Sequence, residues 1–391
     1  MDRASHTVRA GHASAGFSLV DVMVGMVIGL IGMIVVFQSF NTFEAQKRTT
    51  TQANDAQEHG LMAIASIERD IRLAGYGLYY AGWPLCNGYR QWTAAGAETV
   101  NAFMPAVLTN GATNTPDSIT LTYSTSGFGA TPAQVQTTFT GSVPEVVVDN
   151  NTGDNAFRPG EHILVGRSGL ACTRLQVSGV RTDPSNPQFL ALRVEPTDLA
   201  PANPPLGDLA GLLPAGGYTN TRQSLIMSAV SNMGRMRRVL YSVALDLNFG
   251  GRLQARDLTA GTPATDLADG IVNLQAQYGI SAAETTQQVT DWVDASGTWA
   301  NPAFQDQGRI KAVRIAVVAR SQMQEKDEVQ GSATSCTNAS GTNPKGPCAW
   351  KDTAADPAPI IDLSANPNWK RYRYRVYDTI VPLRNVMWQF Q

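Results

Sequence analysis

The chain has 391 residues, with 30 Lys and Arg against 32 Asp and Glu, so its formal net charge is −2 at pH 7. Without an excess of positive charge it lacks the field that attracts nucleic acids, and we expect no nucleic-acid partner. It has four histidines, and its four cysteines form no C-x-x-C pair, which argues against the common zinc motifs. We therefore also expect no metal and no cofactor.

Hydrophobicity is concentrated near the N-terminus, where residues 17–37 include 16 apolar side chains and three glycines. A run of this length can cross a bilayer as a helix. The preceding residues 1–16 carry Arg3 and Arg9 against Asp2, and a positive bias favours the cytoplasmic side. The sequence thus predicts a single membrane-spanning segment, with the chain that follows it exported.

The residues around position 16 indicate where the chain is processed. A secretory signal carries small residues in an Ala-x-Ala arrangement after its apolar run, and no such site follows here. Instead, residues 16–21 (GFSLVD) resemble the processing site of type IV prepilins. That resemblance implies that a prepilin peptidase cuts between Gly16 and Phe17, and that Phe17 becomes the methylated N-terminus.

Asp21 lies inside the apolar run, where prepilins usually carry Glu. A carboxylate in hydrocarbon is costly and persists only with a partner or a function. We expect Asp21 to form an assembly salt bridge with the α-amino group of a neighbouring subunit, although its side chain is shorter than that of Glu. The alternative is a plain signal anchor with an incidental acid. Gly25 and Gly29 would let such helices approach closely, or reflect ordinary glycine use in membrane helices.

Between residues 41 and 75 the sequence becomes amphipathic, with Ile64, Ile67 and Ile71 at three- and four-residue steps. The glycines at 75 and 77 favour the end of a helix there. The chain is therefore predicted to contain a cleaved leader (1–16), a transmembrane or filament-core helix (17–40), its amphipathic continuation (41–75) and a β-rich globular head (76–391).

Alternating apolar and polar residues predict the strands of the head. These strands are 118–123, 145–148, 162–165, 175–180, 189–194, 239–247, 309–318 and 370–381. Strand 309–318 has the pattern of a half-buried strand, because Arg314 alternates with the apolar residues. Three other segments are predicted to be long inserted loops: residues 91–157, which contain no Lys or Arg, residues 184–214, which contain seven prolines, and residues 330–368.

Three parts of the sequence resemble the PilW family of minor pilins of type IV pili. They are residues 67–77 (IERDIRLAGYG), the pair 270–279 (GIVNLQAQYG) and 313–321 (VRIAVVARS), and residues 381–385 (VPLRN). The resemblance implies an α+β class and a type IV pilin fold. In that fold a long N-terminal α-helix packs on an antiparallel β-sheet head, here with long inserted loops.

The resemblance also implies a role. A PilW-like minor pilin helps to prime type IV pilus assembly and forms part of the pilus tip complex, where it can present an adhesin. Its partners would be other minor pilins, the major pilin, a tip adhesin, the prepilin peptidase and the inner membrane, and it would reach the cell surface within the pilus. Two rival hypotheses are a type II secretion pseudopilin and a membrane-anchored surface-binding module.

The four cysteines fit disulfides in an oxidising compartment. Cys336 and Cys348 lie twelve residues apart, and a bridge between them would stabilise the fold by roughly 3 kcal/mol in the chain-entropy model. Cys86 and Cys172 would then form the second bridge. Four cysteines permit three connectivities, so the sequence leaves the pairing open.

No catalytic motif is evident, because the chain has no Walker A, G-x-S-x-G or H-E-x-x-H pattern. We expect no catalytic residues and no enzymatic activity. Residues 149–155 (DNNTGDN) lack the spacing of an EF-hand, which favours a hairpin turn over a calcium site. Residues 370–377 (KRYRYRVY) favour a strand with a solvated basic face over a site for single-stranded DNA.

Overall fold

The structure, a computed structural model, describes residues 18–80, 83–101, 103–112, 115–128, 131–150, 156–167, 169–219, 228–246, 250–330, 336, 345–359 and 361–388. The chain divides into two compact units, residues 1–53 and residues 54–391. Gly16 and Phe17, at the predicted processing site, lie outside the described residues.

The first unit contains the beginning of helix α1 (Leu19–Leu73). Ser18 Oγ accepts a hydrogen bond from the Val20 N–H at 3.3 Å, and Asp21 Oδ2 accepts one from the Ser18 N–H at 3.2 Å. These bonds satisfy backbone donors that a helix start leaves unpaired. The segment Leu19–Glu44 is long and apolar enough to cross a membrane, judged by length and composition alone.

The second unit contains the end of α1, short helices and many strands. The helices are α2 (Leu206–Leu212), α3 (Phe304–Gln307) and α4 (Arg384–Met387), with 3-10 turns at Gly297–Ala300 and Trp369–Arg371. The strands are β1 (Tyr79–Tyr80), β2 (Trp83–Pro84), β3 (Tyr89–Thr93), β4 (Gly96–Val100), β5 (Ala106–Thr109), β6 (Ser118–Tyr123), β7 (Ala133–Gln134), β8 (Glu145–Asp149), β9 (His162–Gly166), β10 (Cys172–Gln176), β11 (Gly179–Asp183), β12 (Asn186–Arg193), β13 (Ala229–Gly234), β14 (Arg237–Ala244), β15 (Arg252–Asp257), β16 (Thr265–Asp269), β17 (Ile271–Ile280), β18 (Asp291–Val293), β19 (Ile310–Arg320) and β20 (Tyr374–Pro382).

These strands form four larger sheets and one small hairpin, in which β1 pairs with β2. The strand orders are β18-β17-β19-β20, β16-β15-β14-β6-β5, β4-β3-β10-β9-β13-β7 and β11-β12-β8. Paired strands run antiparallel, as the sequence predicts, except that β3 and β10 are parallel. The described residues are thus of the α+β class, and the head consists mostly of strands.

The end of α1 enters the largest hydrophobic core through one stripe of its surface. Ala63, Ile67 and Ile71 follow one another at four-residue steps, so they share one helix face, and each is fully buried. Val313 and Ile315 of β19, two residues apart on one face of the strand, belong to the same core. The predicted packing of the amphipathic segment on a sheet is therefore present in this unit.

A second hydrophobic core, which the sequence does not predict, lies within residues 133–230. Ile163 and Val165 of β9 belong to this core, whereas Leu164 between them belongs to the first. Because side chains alternate along a strand, the six-stranded sheet is a wall shared by the two cores.

Two of the three segments predicted to be long loops contain strands or a helix, so these two predictions are wrong. Residues 91–157 contain β4 to β8 and part of β3, and residues 184–214 contain β12 and α2. Short strands such as β4, with three exposed residues, and β12, with Pro187 near its start, carry no clear alternating pattern, so the sequence does not distinguish them from loops.

The described residues of the third predicted loop, 330–368, form no helix or strand, and part of this segment covers the outer face of β19. All eleven residues of β19 are consequently buried. The prediction of a half-buried strand at 309–318 is therefore wrong, because the sequence does not show which remote segment covers the second face. The third core on this face includes Ala316, Val318, Ala349, Trp350, Ile361, Leu363 and Trp369.

Candidate functional site

The PilW-like motif at residues 67–77 places a buried carboxylate near the end of α1. Asp70 is 2% exposed, its Oδ2 accepts a hydrogen bond from Tyr241 Oη at 2.8 Å, and its Oδ1 accepts one from Arg69 Nε at 3.1 Å. Burial, together with the negative charge of Asp70, raises the pKa of Tyr123 to about 12. The carboxylate thus joins the helix to β14, the strand that carries Tyr241.

The closing motif at residues 381–385 meets the same helix end. Asn385 Nδ2 lies 3.1 Å from the carbonyl oxygen of Ala74 and 3.2 Å from that of Leu73, so it caps carbonyl groups that the helix leaves unpaired. Gly75 then turns the chain with φ +85°, and its N–H donates to the Thr122 carbonyl at 2.9 Å. Two motifs that are distant in sequence therefore form one junction.

The central motif pair forms two neighbouring strands, β17 and β19, with Gln277 opposite Arg314. Gly270, just before β17, has φ +70°, and a Cβ atom there would lie 2.7 Å from the Arg320 carbonyl oxygen. Glycine is thus required at this turn. Residues of both strands belong to the first hydrophobic core, together with the buried residues of α1.

Arg314 makes contacts that sequence reasoning missed. Its Nη1 and Nη2 atoms donate to the two carboxylate oxygens of Asp356 at 2.5 and 2.8 Å, and Nη2 also donates to Gln277 Oε1 at 2.5 Å. Its Cζ atom lies 4.7 Å from the ring centroid of Trp292 and 3.9 Å from that of Trp350. The part of residues 330–368 that covers the outer face of β19 is the outer-face segment. Because Arg314 lies between two indole rings and the carboxylate of Asp356, it binds this segment to the sheet.

Asp117 is a second buried group without a distinctive sequence signal. Its two carboxylate oxygens accept hydrogen bonds from the N–H groups of Gly111 and Ala276, each at 2.8 Å. Burial raises its pKa to about 6, because a charged carboxylate loses its hydration there. In the sequence it is indistinguishable from an ordinary turn aspartate, since it follows Pro116 directly before a strand.

The cysteines lie in two pairs. Cys86 is bonded to Cys172 with their Cα atoms 5.3 Å apart, and Cys336 is bonded to Cys348 with Cα atoms 5.5 Å apart. The first bond joins the chain just after β2 to β10 of the six-stranded sheet. The second belongs to the segment that covers β19. Both bonds lie within the second unit, and both are consistent with an oxidising compartment.

The basic and aromatic segment at residues 370–377 uses its side chains within the protein. Arg373 Nε donates to Glu325 Oε1 at 3.1 Å, and Arg375 Nη1 donates to Gln57 Oε1 at 2.8 Å. The ring of Tyr372 lies 4.1 Å from Arg320 Cζ. These internal contacts support the strand interpretation, although β20 begins only at Tyr374.

The other candidate sites predicted from the sequence are not part of the helix junction. Asp21 lies in the first unit, where its carboxylate caps α1. Of the oxygen-rich residues 149–155, the structure describes only the first two. Within the described part of the chain, no group of three His, Cys, Asp or Glu side chains is arranged to hold a metal ion.

The described residues form an α+β head that encloses the end of a helix, and the apolar N-terminal segment suggests a membrane anchor or a signal. The protein is therefore of the class in which an apolar N-terminal segment precedes an α+β head. Residues 229–385, from β13 to the helix-capping Asn385, match the family model PilW, the type IV pilus-assembly protein W. This match confirms the resemblance to the PilW family over residues 229–385, and the general role of that family is pilus assembly. No curated protein and no solved structure matches the chain.

Proposed function

We propose that this chain is a minor pilin that helps to prime type IV pilus assembly and forms part of the pilus tip complex. The match of residues 229–385 to the PilW family is the observation that carries the proposal. The apolar segment Leu19–Glu44 supports it, because a pilin helix must be stable in a membrane before it enters a filament. The head would then be a type IV pilin fold enlarged by a second core and by the outer-face segment.

The N-terminal residues support processing by a prepilin peptidase. After cleavage between Gly16 and Phe17, Ser18 becomes the second residue and Asp21 the fifth. The hydrogen bond from the Ser18 N–H orients the Asp21 carboxylate towards the helix start. A carboxylate held there can pair with the methylated α-amino group of a neighbouring subunit, and in hydrocarbon that pairing compensates for its desolvation.

This role determines location and partners. The precursor would be a single-pass inner-membrane protein with a periplasmic head, and the mature chain would pass into the pilus. Its partners would be the other minor pilins, the major pilin and a tip adhesin. Membership of the tip complex would be supported if the full chain co-purified from detergent extracts with the other minor pilins.

The Gly16→Ala variant tests the proposal at its first step. We expect it to accumulate in the membrane as unprocessed precursor, because the added methyl group occupies the position directly before the scissile bond. Immunoblotting of membrane fractions measures the ratio of precursor to mature chain. The matched control is Gly11→Ala, which makes the same change at the other glycine of the leader and should be processed as in wild type.

Normal maturation of Gly16→Ala would contradict the proposal. Equal loss of processing in Gly11→Ala would also contradict it, because the leader would then depend on glycine in general and not on a defined cleavage position. A processed wild-type chain that co-purifies with secretion components and not with minor pilins would favour the pseudopilin.

A further inference from the structure

A cleft of about 500 Å³ opens at the turn between β13 and β14, on the second unit. The turn residues Arg235 and Met236 form one side, and the end of β15 forms another. The polar side chains that line the cleft are Thr125, His162, Arg235, Arg237, Asp257 and Thr259. No part of the pilin proposal uses this region.

The charges that line the cleft do not balance. Arg237 Nη1 pairs with Asp257 Oδ2 at 2.9 Å, so the one carboxylate of the lining already has a cationic partner. Arg235 is exposed, and no carboxylate of the described residues lies within ion-pair distance of it. Among the described residues, the guanidinium group of Arg235 therefore has no ion-pair partner.

Further positive charge lies behind the lining. Arg174 of β10 is 6% exposed, and its Nη1 atom has no hydrogen-bond partner in the structure. Its charge acts on His162, because burial first and Arg174 second lower the pKa of His162 to about 4. Arg174 is also influenced by the carboxylates of Glu98 and Asp257. The three arginines 174, 235 and 237 outnumber these two carboxylates, in a chain whose overall net charge is −2.

Two lining residues also carry buried polar atoms without partners. They are Nδ1 of His162 and Oγ1 of Thr259. A buried polar atom that makes no hydrogen bond costs about 1–3 kcal/mol, so natural proteins retain few of them without a reason. Both belong to residues that line this cleft, so its wall retains hydrogen-bonding capacity that the described residues do not use.

The turn that presents Arg235 is held rigidly. Gly234 has φ +57°, and a Cβ atom there would lie 2.8 Å from the Ser126 backbone nitrogen. The Arg235 N–H donates to Thr125 Oγ1 at 2.9 Å. Arg237 begins β14 and lies opposite Tyr123 of β6. The two arginines thus project from a backbone with little freedom, which lowers the entropy lost when a ligand is bound.

We propose that this cleft binds a phosphate group between Arg235 and Arg237. The planar guanidinium groups match the oxygens of phosphate in a forked geometry, and charge-assisted hydrogen bonds of this kind are strong. The site goes beyond the pilus-assembly role and does not depend on it. The phosphate can come from a phospholipid headgroup or from a free phosphate, since both present the same oxygens.

Calorimetric titration of the full chain in a neutral detergent tests the site, with sodium phosphate and glycerol 3-phosphate as probes at constant ionic strength. We expect saturable binding of one phosphate per chain, weakened about tenfold in Arg235→Gln because the unpaired guanidinium is lost. Arg235→Lys keeps the charge without the fork and should retain part of the affinity. Tighter binding of glycerol 3-phosphate than of phosphate would indicate a headgroup as the source, and the reverse order a free phosphate.

The matched control is Arg252→Gln, which removes an exposed arginine of β15 that pairs with Asp266 of β16. It should leave phosphate binding within about twofold of wild type. Thermal denaturation verifies that each variant is folded. Absence of saturable binding to the wild type would overturn the proposal. Equal affinities of wild type and Arg235→Gln would do the same, because the phosphate would then be bound elsewhere.

Discussion

A few buried charged residues join the separate parts of the head. Asp70 connects the helix end to β14, Asp117 connects the chain before β6 to β17, and Arg314 connects β19 to Asp356 of the outer-face segment. Each group has hydrogen-bond partners that offset part of the cost of its burial, and for Asp117 burial still outweighs them. These residues fix the positions of elements that hydrophobic contacts alone would define less uniquely.

Asp117 predicts a pH dependence of stability. Its pKa is raised to about 6 in the folded head from an ordinary value of 3.8, so the folded state binds this proton more tightly than the unfolded state does. The stabilising contribution is therefore complete below about pH 4 and is lost as the pH rises through about 6. The size of the shift corresponds to about 3 kcal/mol.

The measurement is the difference in free energy of unfolding between the wild type and Asp117→Asn, obtained from urea denaturation between pH 4 and pH 7. We expect the wild type to lose stability relative to the variant as the pH rises. Asp198→Asn, at an exposed position, is the matched control and should show a constant difference. A constant difference for Asp117→Asn as well would contradict the raised pKa.

At the scale of single elements, helix α1 and strand β19 show how local patterns combine with distant residues. The stripe of Ile64, Ile67 and Ile71 predicts one buried helix face, and the structure buries all three residues. The end of the helix, however, depends on Asn385, which lies more than three hundred residues further along the chain. Strand β19 likewise has one face on the helix and the other under the outer-face segment.

Substitution of Asn385 tests the helix junction. Asn385→Ala removes the donor that lies near the carbonyl groups of Leu73 and Ala74, and we expect a loss of about 1 kcal/mol of stability. Hydrogen exchange should become faster for the amides of residues 70–77, because the last turn of α1 would open more often. Asn368→Ala, in an exposed turn, should change neither quantity, and equal exchange in the two variants would refute the capping role.

At the scale of the whole molecule, the described part of the head contains three hydrophobic cores, which are separated by two strands. Within the six-stranded sheet, β9 separates the first core from the second, and β19 separates the first from the third. The PilW match begins at β13, so most of the second core lies outside the matched residues. The phosphate-binding cleft lies at the turn that follows β13.

The Cys86–Cys172 disulfide joins distant parts of the head, and the Cys336–Cys348 disulfide closes a short loop within the segment that covers β19. Peptide mapping without reduction should recover Cys86 linked to Cys172 and Cys336 linked to Cys348. The chain-entropy model assigns roughly 3 kcal/mol to the shorter closed loop and more to the longer one, so reduction should lower the midpoint of urea denaturation. Recovery of Cys86 linked to Cys348 would contradict this arrangement.

The predicted strands differ in how well the sequence located them. The predictions at 118–123 and 145–148 correspond to β6 and β8. The single strand predicted at 175–180 is wrong, because β10 ends at Gln176 and β11 begins at Gly179 in another sheet. Periodicity continues through such a change of sheet, since each half still alternates. The strand predicted from 370 begins at Tyr374, because Trp369–Arg371 form a 3-10 turn.

The sequence by itself determined the features that depend on local order. These are the apolar helix, the amphipathic stripe, the glycine stop and the family motifs, and each follows from neighbouring residues and backbone geometry. Only the tertiary structure decided which carbonyl groups Asn385 caps, what covers the outer face of β19, and that Arg235 and Arg237 line one cleft. These outcomes depend on contacts between residues far apart in the chain, and no local pattern encodes them.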